Sequence, residues 1–436
     1  MTATPPHTHA NASWWQRRTG GLDARYWKLW GAVASSNLGD GLVSLAIPWL
    51  ASLLTRDALA IAGVALATRL PWLVFSLQAG ALTDRFDRRR LMIVANSLRA
   101  LIVGAAAVAV FLDVMTIPLL YVVGFGLGMC EVVFDNTSQT ILPGLVPRER
   151  LERANGNIMG AQMVIAEFVA RPIAGALVGL ALSLPFAIDA VTAAVSVALI
   201  AAIPGSFRTP HDATQKRPRM RTQIAEGLRW LWQHRLLRLL AISLGIMNGM
   251  MAGAMATYVL FVQEILLLDG LGFGLLLAGG SVGGLLGSIL APNVTRAIGS
   301  GPSLTFGLTA PIVALAVIAT TSNPIVAGAG MAAFGFTAIM WNVVTVSLRQ
   351  TLIPDPLLGR VNSVYRFFGW GAMPIGTLLG GALVNVVELT ATRELGLRSP
   401  FILGAVVYAL LAMVAAPRLR TARIDHAKQD AAEVGI

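Results

Sequence analysis

The chain has 436 residues, 56% of them hydrophobic and only 13% charged, with a formal net charge of +11, where an average soluble domain is about 25% charged. That balance excludes a water-soluble globular fold for the bulk of the molecule, and a single cysteine, Cys130, excludes an intrachain disulfide. Apolar stretches of about 20 residues, the length that crosses a hydrocarbon core of about 30 Å, recur along almost the whole chain and leave no room for a large soluble domain.

The segment through Arg25 is polar, carries Trp14, Trp15, Arg17 and Arg18, and has no apolar core or small-residue cleavage site, so the first helix is expected to act as its own insertion signal. His7 and His9 in this segment read as solvated side chains, and no metal and no cofactor is expected. Twelve spans are predicted, at 28–54, 59–83, 91–112, 116–142, 156–181, 184–204, 239–264, 271–296, 302–321, 324–349, 361–387 and 398–416. The expected fold is all-α and integral to the membrane, with two six-helix bundles related by a pseudo-two-fold axis. The expected divisions are a tail at 1–27, a first bundle at 28–204, a central loop at 205–238, a second bundle at 239–417 and a tail at 418–436.

Of the lysines and arginines, only Arg56, Arg393 and Arg398 fall on the side away from the termini, and Arg69, Arg99 and Arg171 fall within spans; the other 27 of the 33 lie at or beside the side that holds both termini. By the positive-inside rule this places both termini in the cytoplasm of a plasma-membrane protein. The same placement accounts for the basic charge without a nucleic-acid partner. In the central loop Ile224, Leu228 and Leu231 recur at helical spacing beside Trp230, Trp232 and several arginines, which fits either a short helix on the inner leaflet or a solvated linker helix.

The sequence also repeats. Pro147, Leu151, Arg153 and Asn155 recur with identical spacing as Pro354, Leu358, Arg360 and Asn362, an offset of 354 − 147 = 207, and Gly80 meets Gly287 at the same offset. Parallel repeats of this kind enclose a cavity between two bundles.

The loop after the second span reads Gly80-Ala81-Leu82-Thr83-Asp84-Arg85-Phe86-Asp87-Arg88-Arg89-Arg90. It resembles the signature between helices two and three of major facilitator transporters. In that family the residues matching Gly80, Asp84, Arg85 and Arg88 form a conformational latch, in which the aspartate caps a neighbouring helix end and the second arginine pairs with an acid; an acid at a helix N-terminus is physically apt. Asp87 stands where the family has its second glycine. Within the superfamily the chain resembles the twelve-helix drug-proton antiporters of the third group, which include macrolide and enterobactin exporters. The likeness is carried by Ser36-Asn37-Leu38-Gly39-Asp40, by Leu142-Pro143-Gly144-Leu145-Val146-Pro147 with Ala154-Asn155-Gly156, and by Ser347-Leu348-Arg349-Gln350 with Leu358-Gly359-Arg360-Val361. It implies a monomeric transporter. Antiporters of the superfamily often carry Gly-Pro followed by a glycine in helix five, where this chain reads Ala170-Arg171-Pro172-Ile173-Ala174-Gly175; Pro172 and Gly175 still allow a kink.

An ionisable side chain at mid-bilayer costs on the order of 2.5–3.5 kcal/mol and needs a cavity or a partner. Asp40, Arg69, Glu131 and Glu167 are placed near mid-depth, Arg171 slightly beyond, and Asp135 about one turn nearer the termini. Glu131 and Asp135 are four apart and share a face, as do Glu167 and Arg171, which read as a mutually neutralising structural pair. Desolvation and like-charge crowding favour the neutral form of a carboxyl, which is what proton coupling needs. Asp40, Glu131 and Asp135 are the candidates, with Arg69 as the cation that holds one of them ionised. At the 207 offset they map to uncharged residues, so the mid-span charge is assigned to the first half alone. Asp189 reads as structural. In the second half Asn248, Met251, Trp341 and Asn342, with Asn37 from the first, are the candidate substrate contacts, since Met and aromatic surfaces adapt to varied lipophilic ligands. The glycine rows of the eighth and eleventh spans read as close helix packing.

No phosphate-binding loop of the Gly-x-x-x-x-Gly-Lys-Ser/Thr type is present, and no histidine falls in a predicted helix, which argues against ATP drive and against an intramembrane enzyme. The leading expectation is a secondary transporter that exports hydrophobic or amphiphilic drug-like molecules in exchange for protons by alternating access. A dedicated exporter of one metabolite, such as a siderophore or an antibiotic, and an uptake symporter stay open. A non-transporting sensor or scaffold would be expected to lack titratable mid-membrane acids and to add a soluble effector domain.

Overall fold

The computed structural model describes residues 22–207, 220–419 and 421. The predicted amino-terminal features, His7 and His9 among them, and the end of the carboxyl-terminal tail lie outside the described residues. Twelve of the described helices are long and apolar enough to cross a membrane. They are α1 (Ala24–Leu54), α2 (Ala58–Arg85), α3 (Arg88–Phe111), α4 (Ile117–Ile141), α5 (Arg148–Leu180), α6 (Leu184–Ala201), α7 (Arg235–Ala256), α8 (Gly270–Ile298), α9 (Ser300–Thr320), α10 (Pro324–Leu352), α11 (Asp355–Thr390) and α12 (Arg393–Ala415).

Local chemistry sets where these helices begin. Asp57, Asp87, Asp269, Asn323 and Thr392 each accept a backbone N–H of the first turn that follows, which satisfies donors that a helix start leaves unpaired. Pro118, Pro185 and Pro324 occupy first-turn positions where a missing N–H is harmless. Several helices run past the predicted spans. α5 starts at 148 rather than 156 and α11 covers 355–390 rather than 361–387, because their polar ends project beyond the hydrocarbon and hydropathy does not register them. The seventh predicted span is broken at Thr257, after which a short helix, Tyr258–Glu264, turns across the top of α7.

The two halves repeat one packing scheme. In the first, α1 packs on α5 and α6, α2 on α4, and α3 on α4 and α6; in the second, α7 packs on α11 and α12, α8 on α10, and α9 on α10 and α12. The halves meet along α2 with α11 and along α5 with α8, two seams that exchange when the halves are exchanged. Glycines bring backbones together in both. A Cβ at Gly381 of α11 would meet the Ala58 carbonyl oxygen at 2.8 Å, and one at Gly274 of α8 would meet Pro172 Cα at 3.2 Å. The glycine rows of α8 and α11 serve the same purpose within the second half: Gly283 and Gly287 seat α10, and Gly376 and Gly380 lie on Gly249 and Gly253 of α7.

At the face away from the termini the halves are tied by side chains. Arg56 Nη1 donates to Gln263 Oε1 at 2.6 Å, Gln263 Nε2 donates to Ser52 Oγ at 2.9 Å, and Asn385 Nδ2 donates to Asp57 Oδ1 at 2.6 Å. Arg393 adds a bond from Nη2 to the Arg56 carbonyl at 2.8 Å and an ion pair to Glu264 at 3.0 Å. Toward the terminal face the seams loosen: a Cβ at Gly80, Gly156, Gly160 or Gly359 would meet no described atom within 4 Å. Among the described residues the polar ties between the halves cluster at the face away from the termini.

The linker helix, Met220–Gln233, is docked on α11. Glu226 pairs with Arg360, the Gly227 backbone lies against Arg360, and Trp232 stacks on Phe368 at 6.3 Å. Leu231 is buried, whereas Ile224 and Leu228 are exposed.

Candidate functional site

Arg99 of α3 is a buried charge in the first bundle, 3% exposed. Its guanidinium donates from Nη2 to Asp189 Oδ2 of α6 at 2.8 Å and from Nε to Asp189 Oδ1 at 3.1 Å, and its Nη1 pairs with Asp40 of α1. Asp189 is fully buried, whereas the Asp40 side chain keeps 26% of its surface. Asp40 is therefore the reachable end of this ion-pair network, with Arg99 behind it. The approach of α6 to α1 requires Gly39, because any side chain there would overlap the Asp189 carboxyl. One turn along the same seam Asn96 Nδ2 donates to Ser196 Oγ at 2.7 Å.

The cation against Asp40 is Arg99, and Asp189, read from the sequence as structural, is the second anchor of that cation. Arg69 is exposed and makes no hydrogen bond or ion pair with a described residue; its electrostatic neighbours are Glu131 and Arg171. Glu131 and Asp135, on one face of α4, are part-buried, lie within electrostatic reach of Asp40 and Arg99, and form no ion pair among the described residues. Asp40, Asp189, Glu131 and Asp135 thus surround Arg99 and Arg69. Four carboxyls against two guanidiniums are neutral when the cluster holds two protons.

Glu167 and Arg171 of α5 pair with each other as expected, and the pair also reaches the other half. Ser281 of α8 donates to Glu167, and Arg171 lies 3.4 Å from the same hydroxyl. The segment Val164–Ala170 is π-helical. Pro172 has no N–H and its ring crowds the carbonyl four residues earlier, and the wider turn just before it accommodates that defect; such turns frequently mark functional segments.

At the terminal face Asp87 caps α3: its Oδ1 accepts the Arg90 N–H at 3.0 Å, and its Oδ2 accepts the Ser206 hydroxyl at 3.0 Å and the Phe207 N–H at 2.7 Å. These bonds hold the Asp87 carboxyl below its ordinary range despite partial burial. The residue that departs from the family signature therefore carries the cap. Arg88 Nη1 donates to the Thr140 carbonyl of α4 at 2.8 Å, and Arg89 Nε to the Ile200 carbonyl of α6 at 3.1 Å. Arg85 is exposed at the end of α2; the Asp84 side chain lies outside the description.

The predicted substrate contacts divide. Asn342 is exposed and Met251 part-buried. Asn37 Nδ2 donates to the Val33 carbonyl of its own helix at 2.7 Å, and Asn248 Nδ2 to the Gly369 carbonyl of α11 at 2.9 Å. Trp341 is 1% exposed and packs on Gly307 of α9, so it belongs to the α9–α10 interface and not to the cavity wall; helical spacing alone does not separate those faces. Three residues escaped the sequence reading. Trp72 of α2 and Trp370 of α11 meet across the halves with centroids 6.5 Å apart, and the Arg366 guanidinium lies 5.7 Å from the Trp370 ring centre. Arg366 lies inside α11, within the predicted span 361–387 and toward its terminal end.

The profile of the family described as transmembrane secretion effector, a major facilitator family, matches residues 23–433. The chain belongs to the major facilitator superfamily. This major facilitator is 30% identical over 407 residues to the multidrug efflux pump Tap of Mycolicibacterium fortuitum, covering 89% of this chain and 95% of that one. Among solved structures its fold is similar to a variant of the nucleoside transporter NupG, with a TM-score of 0.72 at 14% identity over 91% of this chain and 99% of that one. A bacterial homolog of the lysosomal transporter Spinster, solved inward-facing and unoccupied, gives 0.68 at 12% identity over 96% and 98%. The major facilitator described here is a multi-pass membrane transporter of small molecules, not an enzyme.

Proposed function

We propose that this transporter exports drug-like amphiphilic molecules across the plasma membrane in exchange for protons, working as a monomer by alternating exposure of its central cavity. The observation that carries the reading is Arg99 shared between Asp40 and Asp189, with Glu131 and Asp135 beside it and Arg69 next to Glu131. A surplus of carboxyls walled off from water exchanges protons with whichever side the cavity faces. A proton or a substrate arriving at Asp40 competes with Arg99 for the same carboxylate, which links occupancy to the packing of α1 against α3 and α6. Export is supported by the relatedness to a multidrug efflux pump over nearly the full length of both chains.

The terminal face is cytoplasmic by the positive-inside rule, so the state described here is inward-open, sealed outside by Arg56, Gln263, Asp57, Asn385 and Arg393. Outward opening parts that seal while the Gly80–Arg90 loop closes below. Binding energy that differs between the two states drives the exchange.

The test is efflux of a lipophilic dye from cells, with and without a proton uncoupler, comparing the parent with Asp40→Asn and Glu131→Gln. Uncoupler-sensitive export that either substitution abolishes at normal expression is expected. Uncoupler-sensitive export that survives in both variants rejects the acid cluster as the coupling site.

A further inference from the structure

α11 packs on α7 through Phe368, Ala372 and Gly376 and on α2 through Gly381 and Asn385. Trp370 is half-exposed, 51% of its surface free, and belongs with Arg366 to the strip between those two contacts. Opposite them, Trp72 of α2 points its indole Nε1 toward Glu131 without completing a hydrogen bond although the atom is buried. Arg69 precedes Trp72 by one helical turn and Arg366 precedes Trp370 by one. Neither guanidinium has an ion-pair partner among the described residues.

We infer that Trp72 and Trp370 form a clamp for a flat aromatic ring bearing an anionic group, which Arg366 receives. Aromatic carbon surfaces stack at about 3.5 Å, so a ring held between two others needs about 7 Å between them. The pair stands at 6.5 Å, tilted by 49°. Levelling the rings and parting them by about half an ångström admits a planar ligand, whereas a thicker saturated ring needs a far larger separation. Arg69 is already balanced by the Glu131 side of the acid cluster, whereas Arg366 has no acid beside it among the described residues and sits one turn from a clamp ring, so an anionic group on the ligand is its counter-charge. Because one tryptophan comes from each half, relative movement of the halves changes the aperture and so couples the grip on the ring to the arrangement of the two bundles.

This inference rests on the reading of the central cavity as the substrate path, but its test does not depend on transport. Naphthalene-2-sulfonate, 2-naphthylmethylammonium and decahydronaphthalene sulfonate share a size and differ in charge or planarity; their binding to the purified full-length protein is measured by calorimetry. The sulfonate is expected to bind at least tenfold more tightly than the ammonium and the saturated analogue. Trp370→Ala weakens it about tenfold, Trp370→Phe restores most of that loss, and Arg366→Gln weakens the sulfonate several-fold without weakening the ammonium. Equal binding of both charges, or sulfonate binding unchanged in Trp370→Ala, overturns the clamp. Sulfonate binding that follows this pattern in a protein exporting no drug keeps the clamp and removes the efflux reading.

Discussion

Arg56 and Gln263 bind each other at 2.6 Å, and they are 263 − 56 = 207 positions apart, the spacing at which the sequence repeats. A residue that touches its own repeat counterpart lies on the pseudo-two-fold axis. The seal at the face away from the termini is therefore built where both halves have the same leverage on it, and under the proposed alternating access its strength sets the balance between the two states. Each partly exposed ion pair contributes about 0.2–1 kcal/mol, so removing Arg56 and Arg393 together shifts that balance several-fold. Distances between spin labels at Leu54 and Leu389, read in a Cys130→Ser background, are expected to gain a longer population in the double alanine variant.

The seal carries no pH dependence of its own. Asn385 donates to Asp57, and with two helix N-terminal amides it holds that carboxyl below its ordinary value of 3.8. A carboxyl lowered in one state stabilises that state above the ordinary value and loses the effect only as pH falls through the lowered one. From about pH 5 to 8 its contribution is constant. Asp57→Asn is expected to change the transport rate while leaving the shape of its pH profile unmoved, whereas Glu131→Gln reshapes the profile.

Arg99 and Gly39 hold one knot. Arg99→Ala strands the fully buried Asp189 and the part-buried Asp40, and losing one member of a buried ion pair costs about 3–5 kcal/mol. Gly39→Ala forces the Asp189 carboxyl aside and acts on the same contact. Both substitutions are expected to lower the thermal midpoint of the purified protein by several degrees. Gly80→Ala, where a Cβ meets open space, leaves the midpoint unchanged and slows transport, since the loop beside it must pack in the other state.

The acid-base pair of α5 distinguishes charge balance from directional chemistry. Glu167→Arg and Arg171→Glu each leave two like charges four residues apart and are expected to abolish transport. If neutralisation is the whole role, the double swap restores it; because Ser281 of the other half bonds to Glu167, the swap is expected to recover expression but only part of the transport rate.

The bundles were legible because twenty-residue apolar runs and charge asymmetry are one-dimensional signals. The pairing of Arg99 was not, since it depends on which helices adjoin. Asn96 and Arg99 on α3, facing Asp189 and Ser196 on α6, form a polar seam at helical spacing that points to the contact once α3 and α6 are known to be neighbours. Trp341 shows the opposite failure: an aromatic in a membrane helix carries no mark of whether a cavity or a neighbouring helix faces it. Asp87 was noticed as a departure, and only the position of Ser206 and Phe207 explains what an acid does there.

The glycine contacts of the two seams have a mechanical consequence. Where α2 meets α11 and α5 meets α8, the helices approach to backbone distance at Gly381, Gly175, Gly270 and Gly274, with little side-chain bulk between them there. Surfaces of that kind act as plain bearings: they carry load and fix the line of rotation, yet turning on them disturbs few rotamers. The resistance to rocking is then concentrated in the polar fastenings at either end of the cavity, which are the parts that ligands, protons and single substitutions can reach.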